Sequence, residues 1–132
     1  MQNELDGYAG RPVCGLWAVA KVTGFSFSDV EKKARKICQR KFTGATSVRD
    51  REQILTHLGV NYITLKWQGY SLQKFVYQIA NKNTLKKFIV RVRGHVVVVA
   101  AGLVYDQDHP YGITASQHPS ARQHVTHVTV CM

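Results

Sequence analysis

The chain has 132 residues, 45% of them hydrophobic and 10% aromatic, with a formal net charge of +10. That length suits one domain with its own core, and no apolar run approaches the ~20 residues of a membrane-spanning helix. Three widely spaced cysteines, Cys14, Cys38 and Cys131, argue against a disulfide framework and suit a reducing compartment.

Met1 opens onto the polar stretch MQNELDG, which lacks the basic and apolar segments of a secretion signal, so a cytoplasmic protein is expected. Residues 1–12 read as a loop punctuated by Gly7, Gly10 and Pro12. CGLWAVAKVT, residues 14–23, predicts a helix closed by Gly24. Ser28 is placed to cap a second helix, DVEKKARKICQR, with Glu31 completing a capping box. Ser47 caps a third, VRDREQILTHL, stopped at Gly59. NYITLKW is β-branched and aromatic and predicts a strand, after which Ser71 caps the helix LQKFVYQIA. From Lys87 the character changes to strands, read in KKFIVRV, HVVVVA, LVYD and, near the end, HVTHVTVC. Helices followed by antiparallel strands give an α+β class over residues 1–132, without repeats or linkers.

The candidate site starts at Cys14. A helix N-terminus presents unpaired N–H groups and partial positive charge, which stabilise a thiolate and raise its reactivity. The competing reading is a small buried core residue. A nucleophilic thiol needs a base, most often histidine oriented by a third group. Of six histidines, His95 has a rigid scaffold, opening a strand directly after Gly94. If the next strand follows a two-residue turn at Ala101-Gly102, His95 lies opposite Asp108 and Val97 opposite Asp106. Alternation then puts His95, Asp106 and Asp108 on one face. These two aspartates are the only carboxylate side chains after Glu52, and both fall on the histidine's side of one hairpin.

CGLWAVA, followed much later by GHVVVV and then GLVYD, resembles the papain-like cysteine peptidase superfamily. The nearest flavour is its small microbial and phage-encoded branch, similar to bacteriocin-leader peptidases and NlpC-type and CHAP amidases. The stretch LKKFIVRVRGHVVVVAAGLVYDQ carries the phage-type order of GH, apolar residues, G and VYD. The resemblance implies N-terminal helices, with the cysteine at a helix start, packed on a C-terminal antiparallel sheet. It also implies Cys14 as nucleophile, His95 as general base and acid, and Asp106 as the orienting carboxylate, with Asp108 as the alternative. No cofactor is implied. Family members often carry a glutamine about six residues before the cysteine as oxyanion donor; Tyr8 stands there, leaving Tyr8, Asn3 and Gln2 as candidates to assist the Cys14 N–H. Trp17, nearly one helical turn past Cys14, is a candidate cleft residue.

The implied activity is hydrolysis of a peptide, isopeptide or amide bond, in the host cytoplasm if the chain is phage-encoded. Two alternatives stay open: a peptidoglycan amidase or endopeptidase, and a non-catalytic basic module docking on nucleic acid or an acidic host protein. The second draws on Lys32, Lys33, Arg35, Lys36, Lys86, Lys87, Arg91 and Arg93, whose excess positive charge attracts anions. Zinc at His124, His127 and Cys131 is disfavoured, because a strand turns the two histidines to opposite faces.

Overall fold

The computed structural model describes residues 14–38 and 46–132. Among the described residues it is α+β. In chain order run α1 (Cys14–Thr23), α2 (Phe27–Cys38), α3 (Val48–His57), β1 (Tyr62–Lys66), α4 (Leu72–Gln78), β2 (Lys87–Val92), β3 (His95–Ala100), β4 (Leu103–Asp106), β5 (His109–Ile113) and β6 (Val125–Cys131). The strands form one six-stranded sheet in the order β1-β6-β2-β3-β4-β5, every neighbour antiparallel. No helix among the described residues is long and apolar enough to cross a membrane.

α1 is apolar around most of its circumference, burying Leu16, Ala18, Val19, Ala20 and Val22, which is the pattern of a helix enclosed on several sides. It lies against β3, α2 and α3. Ser47 caps α3 as predicted, with the box closed by Asp50: Asp50 N–H donates to Ser47 Oγ and Ser47 N–H to Asp50 Oδ2. The start of α2 differs from expectation. Ser26, not Ser28, accepts from the Asp29 N–H, because Phe27 is buried and draws the first turn two residues earlier. Glu31 instead pairs with Arg35 one turn on. α4 is capped by Ser71 but stops at Gln78, and a short 3-10 turn, Ala80–Lys82, follows.

Alternation along the strands divides the core in two. Ile89, Val96, Val98 and Cys131 pack with α1, α2 and α3 on one face. Phe88, Val90, Val97, Val99, Val104 and Val128 pack with Leu72, Phe75 and Val76 of α4 on the other. The sheet is thus covered on both sides, rather than by N-terminal helices alone. β5 is a strand that the sequence pattern does not single out. Its Pro110 and Gly112 are tolerated because it is an edge strand, paired only with β4.

Two tight turns set the site's register. Ala101 and Gly102, at φ 50° and 83°, form the left-handed pair that a two-residue hairpin requires, and Gly94 at φ 70° does similar service between β2 and β3. The first turn pairs Val98 with Tyr105, Val99 with Val104 and Ala100 with Leu103.

Gly15 ties α1 to α3, since an added Cβ would overlap Thr46 Oγ1 and touch Arg51 Cδ. Gly15→Ala is therefore expected to cost about 1–3 kcal/mol through overpacking, read as a lower thermal midpoint. An unchanged midpoint would show that the start of α3 yields without cost.

Candidate active site

Cys14 is the first residue of α1, so its backbone N–H is among those left without an intrahelical partner. Its side chain is buried, with the residue 8% exposed. The thiol is close enough to the His95 ring and the Val96 backbone N–H for both to favour its thiolate. His95 heads β3, just past the Arg93-Gly94 turn, and its side chain is 25% exposed. Its Nε2–H donates to Asp106 Oδ2 at 3.0 Å, so Nδ1 is the ring nitrogen not engaged by the carboxylate. Cys14, His95 and Asp106 thus meet at one site.

The structure separates the two aspartates. Pairing between β3 and β4 ends at Val98 and Tyr105, and Asp106 then pairs with His109 of β5. Asp108 is not opposite His95. It lies exposed in the β4–β5 turn, and its N–H donates to Asp106 Oδ1 at 3.1 Å. Asp106 itself is 2% exposed.

Two further histidines converge on Asp106. Oδ2 also accepts from His118 Nε2 at 2.8 Å, and Oδ1 accepts from His109 Nδ1 at 2.9 Å and the His109 N–H at 2.8 Å. With His95 Nε2 and the Asp108 N–H, five donors meet one carboxylate, which fills its lone-pair sites. Burial alone would raise the Asp106 pKa, but the His95, His118 and His109 hydrogen bonds overcome it and hold the carboxyl far below its ordinary value. It is a fixed anion, not a proton acceptor.

His95, Asp106 and His118 bring three ligand atoms within 4.8 Å of one another, a spacing a metal ion could use. The second nitrogen of His118 tests that reading. Ser120 N–H donates to His118 Nδ1 at 2.9 Å, so the proton of the neutral ring sits on Nε2, facing Asp106. A neutral imidazole that ligates through Nε2 must instead carry its proton on Nδ1. The cluster is built as a hydrogen-bond brace, and its donor pattern does not fit an ion.

The electrostatics favour an ion pair. Hydrogen bonds to Asp106 and then to Cys14 raise the His95 pKa to about 9, against the opposing effect of burial. Burial would raise the Cys14 thiol, yet the His95 and Val96 hydrogen bonds and the charges of His95 and Arg51 bring it below an ordinary thiol. Cys131 is the internal contrast: equally buried, with only Lys87 opposing, it is pushed up to about 11.

Arg51, on α3, is the residue the sequence pattern hides. In a chain of net charge +10 it reads as one more solvated cation, but it is 2% exposed and has the Cys14 thiolate as a favourable charge neighbour. Its Nη1 donates to Thr46 O at 3.1 Å, while its Nε has no partner among the described residues. Arg51→Met keeps most of the volume and removes the charge. It is expected to move the alkylation curve of Cys14 to higher pH, by less than loss of His95, whose hydrogen bond is the larger effect. An unmoved curve would show Arg51 to be a packing residue only.

The remaining expected residues fall as follows. Tyr8, Asn3 and Gln2, the oxyanion candidates, lie outside the described residues. Trp17 is half-buried and lines a shallow groove of about 290 Å³ with Ala20, Lys21, Gly24, Phe25 and Phe27, starting one helical turn beyond Cys14. Lys32, Lys33, Arg35 and Lys36 are exposed along α2. Lys86 and Lys87 stand at one end of β2 and Arg93 beyond the other, about 20 Å apart at strand rise, so the second basic cluster is strung along a strand, not gathered. His127 lies in β6, and His124 precedes it, bridging to Ser71.

Comparison of the chain with protein-family models, with curated proteins and with solved structures finds no match.

Proposed function

We propose that the protein is a small papain-like thiol hydrolase acting on a peptide, isopeptide or related amide bond. The observation that carries this reading is a helix-initiating cysteine beside an imidazole that stabilises its thiolate and that is itself hydrogen-bonded to a buried carboxylate. A core cysteine needs no such neighbours.

The chemistry follows from the ion pair. The Cys14 thiolate attacks the carbonyl carbon, forming an S–C bond, and the oxyanion faces the Cys14 N–H at the start of α1. His95 Nδ1–H gives its proton to the departing amine as the C–N bond breaks. A water molecule, deprotonated by the now neutral His95, hydrolyses the thioester, and thiolate and imidazolium return. Asp106 holds the ring and stabilises its charge throughout.

A test uses an activated acyl ester. Acyl transfer to Cys14 is expected to release a stoichiometric burst of leaving group and to leave the acyl group on Cys14 by mass spectrometry. Turnover should rise as Cys14 ionises, below the ordinary thiol range; with an amide substrate in place of the ester it should also decline above about 9 as His95 loses the proton the leaving amine needs. Cys14→Ala should give neither burst nor adduct. Acylation spread over Cys38 and Cys131 as well would overturn the reading.

A further inference from the structure

On the sheet face that carries α1, α2 and α3, one row of directly paired residues begins at the site. Val96, whose N–H reaches the Cys14 sulfur, pairs with Arg91 of β2; Arg91 pairs with His127 of β6; His127 pairs with Lys66 of β1. Residues paired across a sheet share a face, and Val96 belongs to the α1-side core, so the row faces the same side as Cys14's helix. At ~4.8 Å per strand it runs about 14 Å from the sulfur's end of the sheet. Arg91 and Lys66 are exposed and His127 half-buried.

This juxtaposition favours an anion. Arg91 and Lys66 flank His127 on the two neighbouring strands, with Arg51 near enough to act on Arg91 and His127. Asp50 and Glu52, beside Arg51 on α3, are the acidic groups nearby, and no ion pair joins Arg91, His127 or Lys66 to a carboxylate among the described residues. Arg91 Nη1 reaches only the Thr126 hydroxyl, at 3.4 Å. His127 responds as expected of a base among cations: burial, then Arg91, Lys66 and Arg51, lower its pKa. Buried Arg51, whose Nε has no partner among the described residues, acts on the same row.

We propose that this row is the substrate-docking surface, and that it takes an extended acidic peptide segment, with Asp or Glu side chains within about four residues of the bond that Cys14 attacks. The length follows from the row's ~14 Å span at ~3.4 Å per extended residue. A peptide is favoured over a nucleic acid because the row ends at an acyl-transfer nucleophile, and nucleic acid backbones offer it no acyl carbon. The proposal rests on the hydrolase reading for the role of Cys14 and for the choice of peptide over nucleic acid; the row's affinity for acidic groups does not.

The test is binding to the full-length Cys14→Ala protein, which separates recognition from turnover. A fluorescent Glu/Asp-rich peptide, its Gln/Asn counterpart and a single-stranded oligonucleotide are compared by anisotropy at several salt concentrations. The acidic peptide is expected to bind at least about tenfold tighter than the neutral one, with affinity falling as salt rises. Arg91→Glu and Lys66→Glu should each weaken it about tenfold, while Lys74→Glu, on α4 across the sheet, should not. Arg91→Gln provides a milder variant should charge reversal unfold the protein. Equal binding of neutral and acidic peptides, or equal loss with Lys74→Glu, would overturn the proposal, as would oligonucleotide binding without peptide binding. Row-dependent peptide binding together with an unreactive Cys14 in the parent would uphold the docking surface and sink the hydrolase reading instead.

Discussion

Replacing His95 with alanine is expected to lower turnover about 10²- to 10⁴-fold, the range that positioned proton transfer supplies, and to slow alkylation of Cys14 at neutral pH by roughly 10²-fold. In the parent, burial pushes the Cys14 thiol up, and the His95 hydrogen bond is the largest effect bringing it down. Without His95 only the Val96 N–H and Arg51 oppose burial. The titration then moves upward, toward the behaviour of Cys131, which burial pushes to about 11. Each unit of that movement removes a tenfold share of the thiolate at a pH below the transition.

The measurement is the pH dependence of iodoacetamide labelling, followed residue by residue, in the parent and in His95→Ala. Cys131 supplies the baseline within the same molecule, since a thiol at about 11 is ionised to about one part in 10⁴ at neutral pH. The expected result is fast labelling of Cys14 in the parent and a shift of its curve to higher pH in the variant. A curve that stays in place would mean that His95 does not hold the thiolate, and the acyl-transfer reading would fall with it.

Much of the fold and part of the site can be read from the residues alone, for reasons visible in particular elements. α1 and α3 are legible because apolar periodicity and capping chemistry are local properties, as at Ser47 and Gly24. The β3–β4 register is legible because the Ala101-Gly102 turn leaves one pairing open to it, with numbers summing to a constant. That register alone does not choose between Asp106 and Asp108. The choice is made by a second hairpin, whose return strand contains Pro110 and Gly112 and therefore reads as loop.

The brace on Asp106 is hidden for a related reason. His118 approaches from the segment that follows the short 3-10 turn Ala115–Gln117, which has no periodicity to place it. Arg51 is hidden by composition, because one buried guanidinium cannot be told from solvated ones in a basic chain. In both cases the missing information is tertiary: which groups meet, rather than what each residue prefers.

Asparagine in place of Asp106 is expected to cost turnover about 10²- to 10⁴-fold through the state of His95 rather than through loss of shape. Three donors, two of them backbone N–H groups, converge on the Oδ1 position and require an oxygen there. The amide NH₂ must then occupy the Oδ2 position, facing His95 Nε2 and His118 Nε2. His118 cannot adapt without breaking the Ser120 N–H bond to its Nδ1. His95 adapts by turning Nε2 into an acceptor and placing its one proton on Nδ1, the atom that must be free to take a proton from the thiol. The strongest effect raising the His95 pKa is removed at the same time, so its titration should fall from about 9 toward that of an ordinary histidine. At neutral pH that means less imidazolium and therefore less Cys14 thiolate. The buried donor clash at His118 is expected to cost about 1–3 kcal/mol of stability. Stability and titration report different things here: denaturant unfolding reads the clash, and the NMR titration of His95 reads the tautomer and charge. Loss of stability with an unmoved His95 titration would reduce Asp106 to an anchor for the β4–β5 turn. Both changes together would make it the group that sets the proton inventory between His95 and Cys14.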